Sequence, residues 1–352
     1  MKDLWTYLKE EHAKDRPIVL YGTGDGADKI IARLSEDGIS VSGVFASEGF
    51  VRDRYYRDMK VESFDGIKTR LEDPIVLVSF GSSRPEVIEA IDKVASCSEC
   101  YAPDVPVCGG EVFDAKFYNK HLEQIDGVIS QLADDFSRDC MRDLIRARLT
   151  GRIEYLHKAE CGKEDIYSLI DLPEDAIFYD LGAYNGDTVK EYLSLFPSIS
   201  RIVAVEPEPH NYRKLESLKD QICAKLDPIR AIVSDSCYGS SITASARGRG
   251  TRGNPASSKT IATPAISVDN IAKDFDPPHL IKFDIEGYEL AGIRGAHDTI
   301  LNFRPLMRIA CYHRSEDIFK IPEEVLKIRP DYKVYLRHLP SVPGWDTDFI
   351  FV

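Results

Sequence analysis

A chain of 352 residues with 43% hydrophobic and 29% charged residues has the composition of a globular protein and is long enough for two cores. Its net charge of −13 argues against a general nucleic-acid binder, which needs a basic surface for phosphates, and leaves room only for local basic patches. The opening segment "MKDLWTYLKEEHAKDRP" has no apolar stretch of signal-peptide length and no other run approaches a membrane span, so a cytoplasmic protein without a membrane partner is expected.

Residues 17 to 101 alternate strand and helix. "PIVLYG" is an apolar run ending in a glycine turn, followed by the helical "ADKIIARLSEDG"; "ISVSGVFAS" and "PIVLVSF" are further strands and "RPEVIEAIDKVA" a further helix. This order predicts a Rossmann-like parallel sheet over 1–112. Residues 113–165 read as a helical bridge, with Leu132, Phe136, Cys140, Leu144 and Ile145 at helical spacing and the charges on a solvated face. A second alternation fills 166–352: "AIFYDLG", "SRIVAVEP", "IRAIVSD", "LIKFDIEG" and "LMRIACYH" as strands, with "DTVKEYLSLF" and "PHNYRKLESLKD" as helices. The chain closes on "DYKVYLRHL" and "DTDFIFV", two strands joined by a loop carrying Pro343 and Gly344. The fold class is therefore α/β, two Rossmann-like domains, the second ending in an antiparallel strand pair. Eight cysteines are scattered, and "CSEC" with Cys108 lacks a fourth ligand at zinc spacing, so reduced thiols are expected.

Two glycine turns invite a nucleotide. Gly22, Gly24 and Ala27 match G-x-G-x-x-G/A, with Glu48 placed to take a ribose hydroxyl. Any tight strand-to-helix turn favours glycine, so a structural turn is expected here, and an NAD-dependent oxidoreductase is the alternative. The second turn, "FYDLGAYNGDT", differs by Asp180 at the strand end. A carboxylate there repels a pyrophosphate and attracts the ammonium of an amino-acid moiety. Gly182 and Gly186 let the backbone approach a ligand, Ala183 keeps the turn small, and Tyr184 and Asn185 line it. Thr188 and Glu191 have the spacing of a capping box. Glu206 in "VAVEPEP" is placed to accept both ribose hydroxyls, and Asp235 in "VSDS" to accept the adenine amino group. Acids at three successive strand ends point to S-adenosylmethionine, which carries an ammonium and no phosphate.

These residues resemble the FkbM family of class I S-adenosylmethionine-dependent methyltransferases. The resemblance covers about residues 176 to 352: "FYDLGAYNGDT", "VAVEPEP", "SVDNI" followed by "LIKFDIEGYELAGIRGA", and "RIACYHRSEDIFKIPEEVL" with "YKVYLRH". It implies methyl transfer from S-adenosyl-L-methionine, most often to a hydroxyl oxygen, with sugars, polyketides and other secondary metabolites as acceptors. A non-catalytic binding or scaffolding protein is the rival from another class, and the intact acids at 180, 206 and 284 count against it.

Methyl transfer requires an aligned acceptor and removal of its proton. Asp284, at the end of the fourth strand, is placed to hold the methionine ammonium, orient the acceptor or act as base. His313 in "CYHRSED" is expected to face the same cleft as general base. Glu286 and Arg314 are expected to bind the acceptor. Asp284, Glu286 and His313 are also oxygen and nitrogen ligands able to converge on magnesium, but the sequence assigns no metal. Residues 240–264 carry Arg247, Arg249, Arg252 and Lys259 among Ser, Gly and Thr. They read either as a solvated loop or as a lid whose cations, Arg247 and Arg249 among them, hold an acidic small-molecule acceptor. Oligomerisation is open.

Overall fold

The computed structural model describes residues 2–47, 49–51, 53–235, 241–244 and 261–352. It divides into two compact units: Met1–Ser130, Asp134–Gly162 and Leu336–Thr347 form the first, and Gln131–Ala133, Lys163–Tyr335 and Asp348–Val352 the second.

The first unit holds β1 (Ile18–Tyr21), β2 (Gly43–Phe45), β3 (Tyr55–Tyr56), β4 (Met59–Glu62), β5 (Ile75–Val78) and β6 (Cys100–Tyr101), in the order β3-β4-β2-β1-β5-β6. All pairings are parallel except β3 with β4. β1 and β5 are buried at every position, which is why they read as unbroken apolar runs. β3 and β4 escape a sequence reading because Val61 is their one buried residue. Trp5, Leu8, Ile30 and Leu34 close over the sheet from helices Leu4–His12 and Asp25–Glu36.

The stretch expected as a helical bridge is several helices that group with this first unit. Asp134 accepts the Ser137 N–H at 2.8 Å and starts helix Asp135–Thr150, and Gly151, in the left-handed region, ends it. Cys140, Leu144 and Ile145 are buried, but Phe136 is 41% exposed. The apolar stripe is interrupted because the cap at Asp134 restarts the helix. Arg138, Arg142 and Arg146 pair with Asp135, Asp139 and Asp143 along its solvated face, as expected from the charge pattern. Cys97, Cys100 and Cys108 are free thiols.

The second unit contains β7 (Ala176–Leu181), β8 (Ile199–Val205), β9 (Lys225–Ile229), β10 (Ile232–Val233), β11 (Ser241–Ala244), β12 (Ile261–Ile266), β13 (Leu280–Phe283) and β14 (Leu306–Ala310), with the start of β15 (Val334–His338) and all but the first residue of β16 (Thr347–Phe351). Its main sheet has the order β15-β16-β14-β13-β7-β8-β9, with β16 antiparallel to β14. The strand expected from "IRAIVSD" is not the third of this sheet. That position belongs to β9, whose Pro228 is tolerated at an edge; β10 joins a separate small sheet with β12 and β11. Helix Asp187–Leu195 starts at Gly186, in the left-handed region, so Thr188 and Glu191 form no capping box; Glu191 pairs with Lys163 instead. No helix among the described residues is long and apolar enough to cross a membrane.

Charges cross this sheet. Register sets Lys282 of β13 between Asp180 of β7 and Arg308 of β14. Arg308 donates to Asp348 of β16 at 2.6 and 2.8 Å and to the Tyr192 hydroxyl at 3.3 Å. Truncating Asp348 leaves a guanidinium buried without its counter-charge. The Asp348→Ala variant is expected to lose about 3–5 kcal/mol of stability in urea denaturation. A loss below about 1 kcal/mol, the value of an exposed pair, would show that β16 is not held by this contact.

Candidate active site

The C-terminal ends of β7, β8 and β13 bring most of the expected residues together. Asp180 closes the buried part of β7 with no exposed surface, and neither carboxylate oxygen makes a hydrogen bond. Its nearest cation is Lys282 Nζ at 3.6 Å, which also lies 3.5 Å from Asp284 Oδ2. Burial pushes the Asp180 carboxyl up to about 6, with Lys282 pulling the other way. Burial opposes the Lys282 charge, yet Asp284 and Asp180 outweigh it and hold the ammonium above its ordinary range. The ammonium facing Asp180 is thus one the protein supplies itself.

The glycine turn is shaped by the neighbouring strand. A Cβ at Gly182, whose φ is +83°, would stand 1.9 Å from the Asp284 carbonyl oxygen. Its N–H and that of Ala183 donate to the Val205 carbonyl at 2.9 and 3.0 Å. Gly182 is therefore required by the close approach of the β7 and β13 ends, before any ligand is considered. Tyr184 (φ 47°) and Glu286 (φ 53°) both take left-handed backbone at these tips, a strained conformation for non-glycine residues. The Asn185 side chain accepts the Asp187 N–H at 3.2 Å.

Glu206 ends β8 beside this turn. Its Oε2 accepts the Tyr184 N–H at 2.9 Å and its Oε1 the Glu208 N–H at 2.8 Å, leaving a further lone pair on each oxygen. Burial raises its carboxyl to about 7, against the two backbone donors. Asp235 is exposed and follows β10 of the small sheet, accepting the Ser234 hydroxyl at 3.1 Å. It does not end a third strand of the main sheet, so the set of three successive acidic strand ends is Asp180, Glu206 and, on the other side of β7, Asp284.

Beyond β13 a second cluster forms. Asp284, its side chain 31% exposed, accepts the Tyr312 hydroxyl at 3.1 Å. His313 follows β14 and has no exposed surface, so it does not open into a cleft as expected. Its Nε2 lies 3.5 Å from Glu286 Oε2 and 3.6 Å from Asp284 Oδ1, and its Nδ1 lies 3.0 Å from Glu289 Oε1. Burial disfavours the imidazolium, but Glu289, Glu286 and Asp284 outweigh it and raise the pKa well above the ordinary value. Arg314 donates from Nε to the Gly287 carbonyl at 3.3 Å. Arg247, Arg249, Arg252 and Lys259 lie outside the described residues.

Lys282, Glu289 and Tyr312 were absent from the sequence reading. A signal existed for Lys282: a lysine within the apolar run "LIKF" must be paired if that run is a buried strand. In the first unit, Gly26 packs its backbone so closely that a Cβ would meet the Ser79 carbonyl oxygen at 2.4 Å. Asp25 and Asp28 occupy the first turn of the same helix, opposing an anion at that end. Glu48 lies outside the described residues.

Residues 180–334 match the family model described as the methyltransferase FkbM domain. The crystal structure of methyltransferase FkbM from Methylobacillus flagellatus KT is similar over 100% of this chain and 94% of its own, with a TM-score of 0.74 at 19% identity. Aeropyrum pernix fibrillarin in complex with natively bound S-adenosyl-L-methionine matches 53% of this chain and 71% of its own, with a TM-score of 0.34 at 16% identity. A precorrin-6y C5,15-methyltransferase from Geobacter metallireducens GS-15 matches 54% of this chain and 85% of its own, with a TM-score of 0.35 at 14% identity. No curated protein matches. The match to an FkbM methyltransferase domain falls within the second unit, and the fold expected from the sequence is the one observed.

The raised carboxyl of Glu206 has a sign that can be tested. It keeps its proton in the folded chain between its ordinary value and about 7, where the unfolded chain has already released it. That contribution to stability is present at the low end of this window and is lost as pH rises through about 7. The Glu206→Gln variant cannot ionise. Its melting temperature relative to wild type is expected to climb between about pH 5 and about pH 8. A constant difference across that range would contradict the buried, raised carboxyl.

Proposed function

We propose that this chain transfers a methyl group from S-adenosyl-L-methionine to a hydroxyl oxygen of a small-molecule acceptor. The observation that carries the cofactor half is Glu206. Its carboxylate is held by two backbone N–H groups beside the glycine turn, with lone pairs left for two ribose hydroxyls. Ala183, Tyr184, Asn185 and Gly186 would line the same pocket, with Asp235 a candidate for the adenine amino group.

Electrostatics supports the same reading. Lys282 contacts Asp180 and Asp284, while Glu206 at the end of β8 and Glu286 beside His313 add carboxylates with no lysine against them among these contacts. Such a surplus of carboxylates favours the sulfonium and ammonium of S-adenosylmethionine over a pyrophosphate. Asp180, without exposed surface, acts through Lys282; Asp284 is the carboxylate open to the cofactor ammonium or the acceptor.

In the transfer, the acceptor oxygen bonds to the methyl carbon as the carbon–sulfur bond breaks, its electron pair remaining on a neutral thioether. The hydroxyl proton must leave at the same stage. Asp284 and Glu286 are the partly exposed groups at this strand end able to receive it. His313 holds both from behind through Nε2 and acts as a positioning residue. Sugars and other hydroxylated metabolites are the acceptor class to screen, with Arg314 a candidate for binding them.

Calorimetry tests the cofactor half directly. The wild-type chain is expected to bind S-adenosylmethionine and S-adenosylhomocysteine but not NAD. Glu206→Ala is expected to weaken both by about tenfold or more, the cost of losing two hydrogen bonds to a charged group. Binding of NAD alone, or unchanged affinity in a folded Glu206→Ala chain, would sink the proposal.

A further inference from the structure

We propose that Asp284, Glu286 and His313 form a divalent-cation site, with Glu289 orienting the imidazole from behind. The methyl-transfer reading supplies what the ion would do there; whether the ion binds is independent of it.

Asp284, Glu289 and His313 each bring a ligand-type atom to within 4.8 Å of the others. His313 is fully buried, yet neither ring nitrogen makes a well-formed hydrogen bond, and neither does Glu289 Oε2, on a residue 1% exposed. Polar atoms left in this state deep in a protein call for a partner, and a bound ion is one that fits this donor set. Their nearest neighbours are carboxylate oxygens, at 3.5 and 3.6 Å from Nε2 and 3.0 Å from Nδ1. Adjacent ligands of an octahedral ion at about 2.1 Å stand about 3 Å apart, so small movements would bring them into a coordination shell.

An imidazole coordinates through one nitrogen. Nε2 faces Asp284 Oδ1 and Glu286 Oε2, which makes it the ligating atom. Nδ1 faces Glu289 Oε1, which also accepts the Ile285 N–H at 2.9 Å and is thereby fixed in place. A carboxylate behind a ligating histidine sets its tautomer and raises its basicity. Asp284 is held on Oδ2 by Lys282 at 3.5 Å, while Oδ1 accepts the Tyr312 hydroxyl at 3.1 Å and turns its remaining lone pair to the ion.

Two carboxylates and one imidazole suit a hard ion of the Mg2+ or Mn2+ class better than zinc, which favours thiolate and several imidazoles. Asp284 and Glu286 are 31% and 44% exposed in their side chains, so the outer positions are open to water and to an acceptor hydroxyl. An ion there would lower the pKa of that hydroxyl, and the released proton would pass to water.

The test uses the full chain freed of metal by chelation and titrated with Mn2+ while the signal of free Mn2+ is followed by electron paramagnetic resonance. One bound ion per chain is expected, displaced by excess Mg2+. Glu286→Gln, on a partly exposed side chain, is expected to weaken binding by about tenfold or more, and Asp284→Asn and His313→Asn to do the same where circular dichroism shows a folded chain. Glu289→Gln is expected to weaken it while retaining one site. Absence of stoichiometric binding by the folded wild type would overturn the proposal and leave His313 as a buried imidazolium held by carboxylates. Binding unchanged in Glu286→Gln and in a folded Asp284→Asn chain would overturn it equally. S-adenosylmethionine binding measured on the same metal-free chain separates this outcome from failure of the functional proposal.

Discussion

Lys282 is the group around which the second unit is arranged. It sits in the middle of an apolar strand and survives there only because Asp180 and Asp284 stand on either side of its ammonium. Removing a lysine from water costs several kcal/mol unless it is paired, and a paired one is still weak as a source of stability. Its value is in placement. The parallel register that sets Lys282 against Asp180 brings the ends of β7 and β13 so close that position 182 must be glycine. The same register carries the charge pattern onward to Arg308 and Asp348, tying the antiparallel β16 to the parallel strands.

This arrangement changes the meaning of the acid in "FYDLGAYNGDT". From sequence, Asp180 looks like a direct partner for a ligand ammonium. In the folded chain it has no surface and meets the ammonium of Lys282. Its charge still counts, since it neutralises the lysine and leaves Asp284 partly exposed at the mouth. Glu206 lies at a strand end, as expected, because its position depends on one short connection: β8 ends beside the turn of β7, and the Tyr184 N–H reaches its carboxylate.

The two glycine turns, so alike as text, differ in their surroundings. Gly26 is required by the carbonyl of Ser79, just past the neighbouring strand β5, and acids crowd the first turn of the helix it belongs to. Gly182 is required by the Asp284 backbone at the end of a neighbouring strand too, but its turn carries the Glu206 carboxylate, bound to the Tyr184 N–H. Glycine reports that two backbones are close. The charges nearby decide what can bind there.

The alternation of apolar runs and amphipathic helices determined both Rossmann-like folds and the strand ends where a ligand would meet them, because a strand buried on both faces must be apolar throughout. Sequence alone also placed Asp180, Glu206, Asp284 and His313 at strand ends. It misplaced Asp235, since "IRAIVSD" is short and apolar and nothing local tells which sheet will take it. It misjudged His313, because the last residues before a loop read as exposed until Glu289, twenty-four residues earlier in the chain, is brought against the imidazole. Lys282, Tyr312 and Glu289 became part of the site only on folding. Burial, register and the pairing of charges are properties of residues distant in the chain, and the tertiary structure alone brings them within reach of one another.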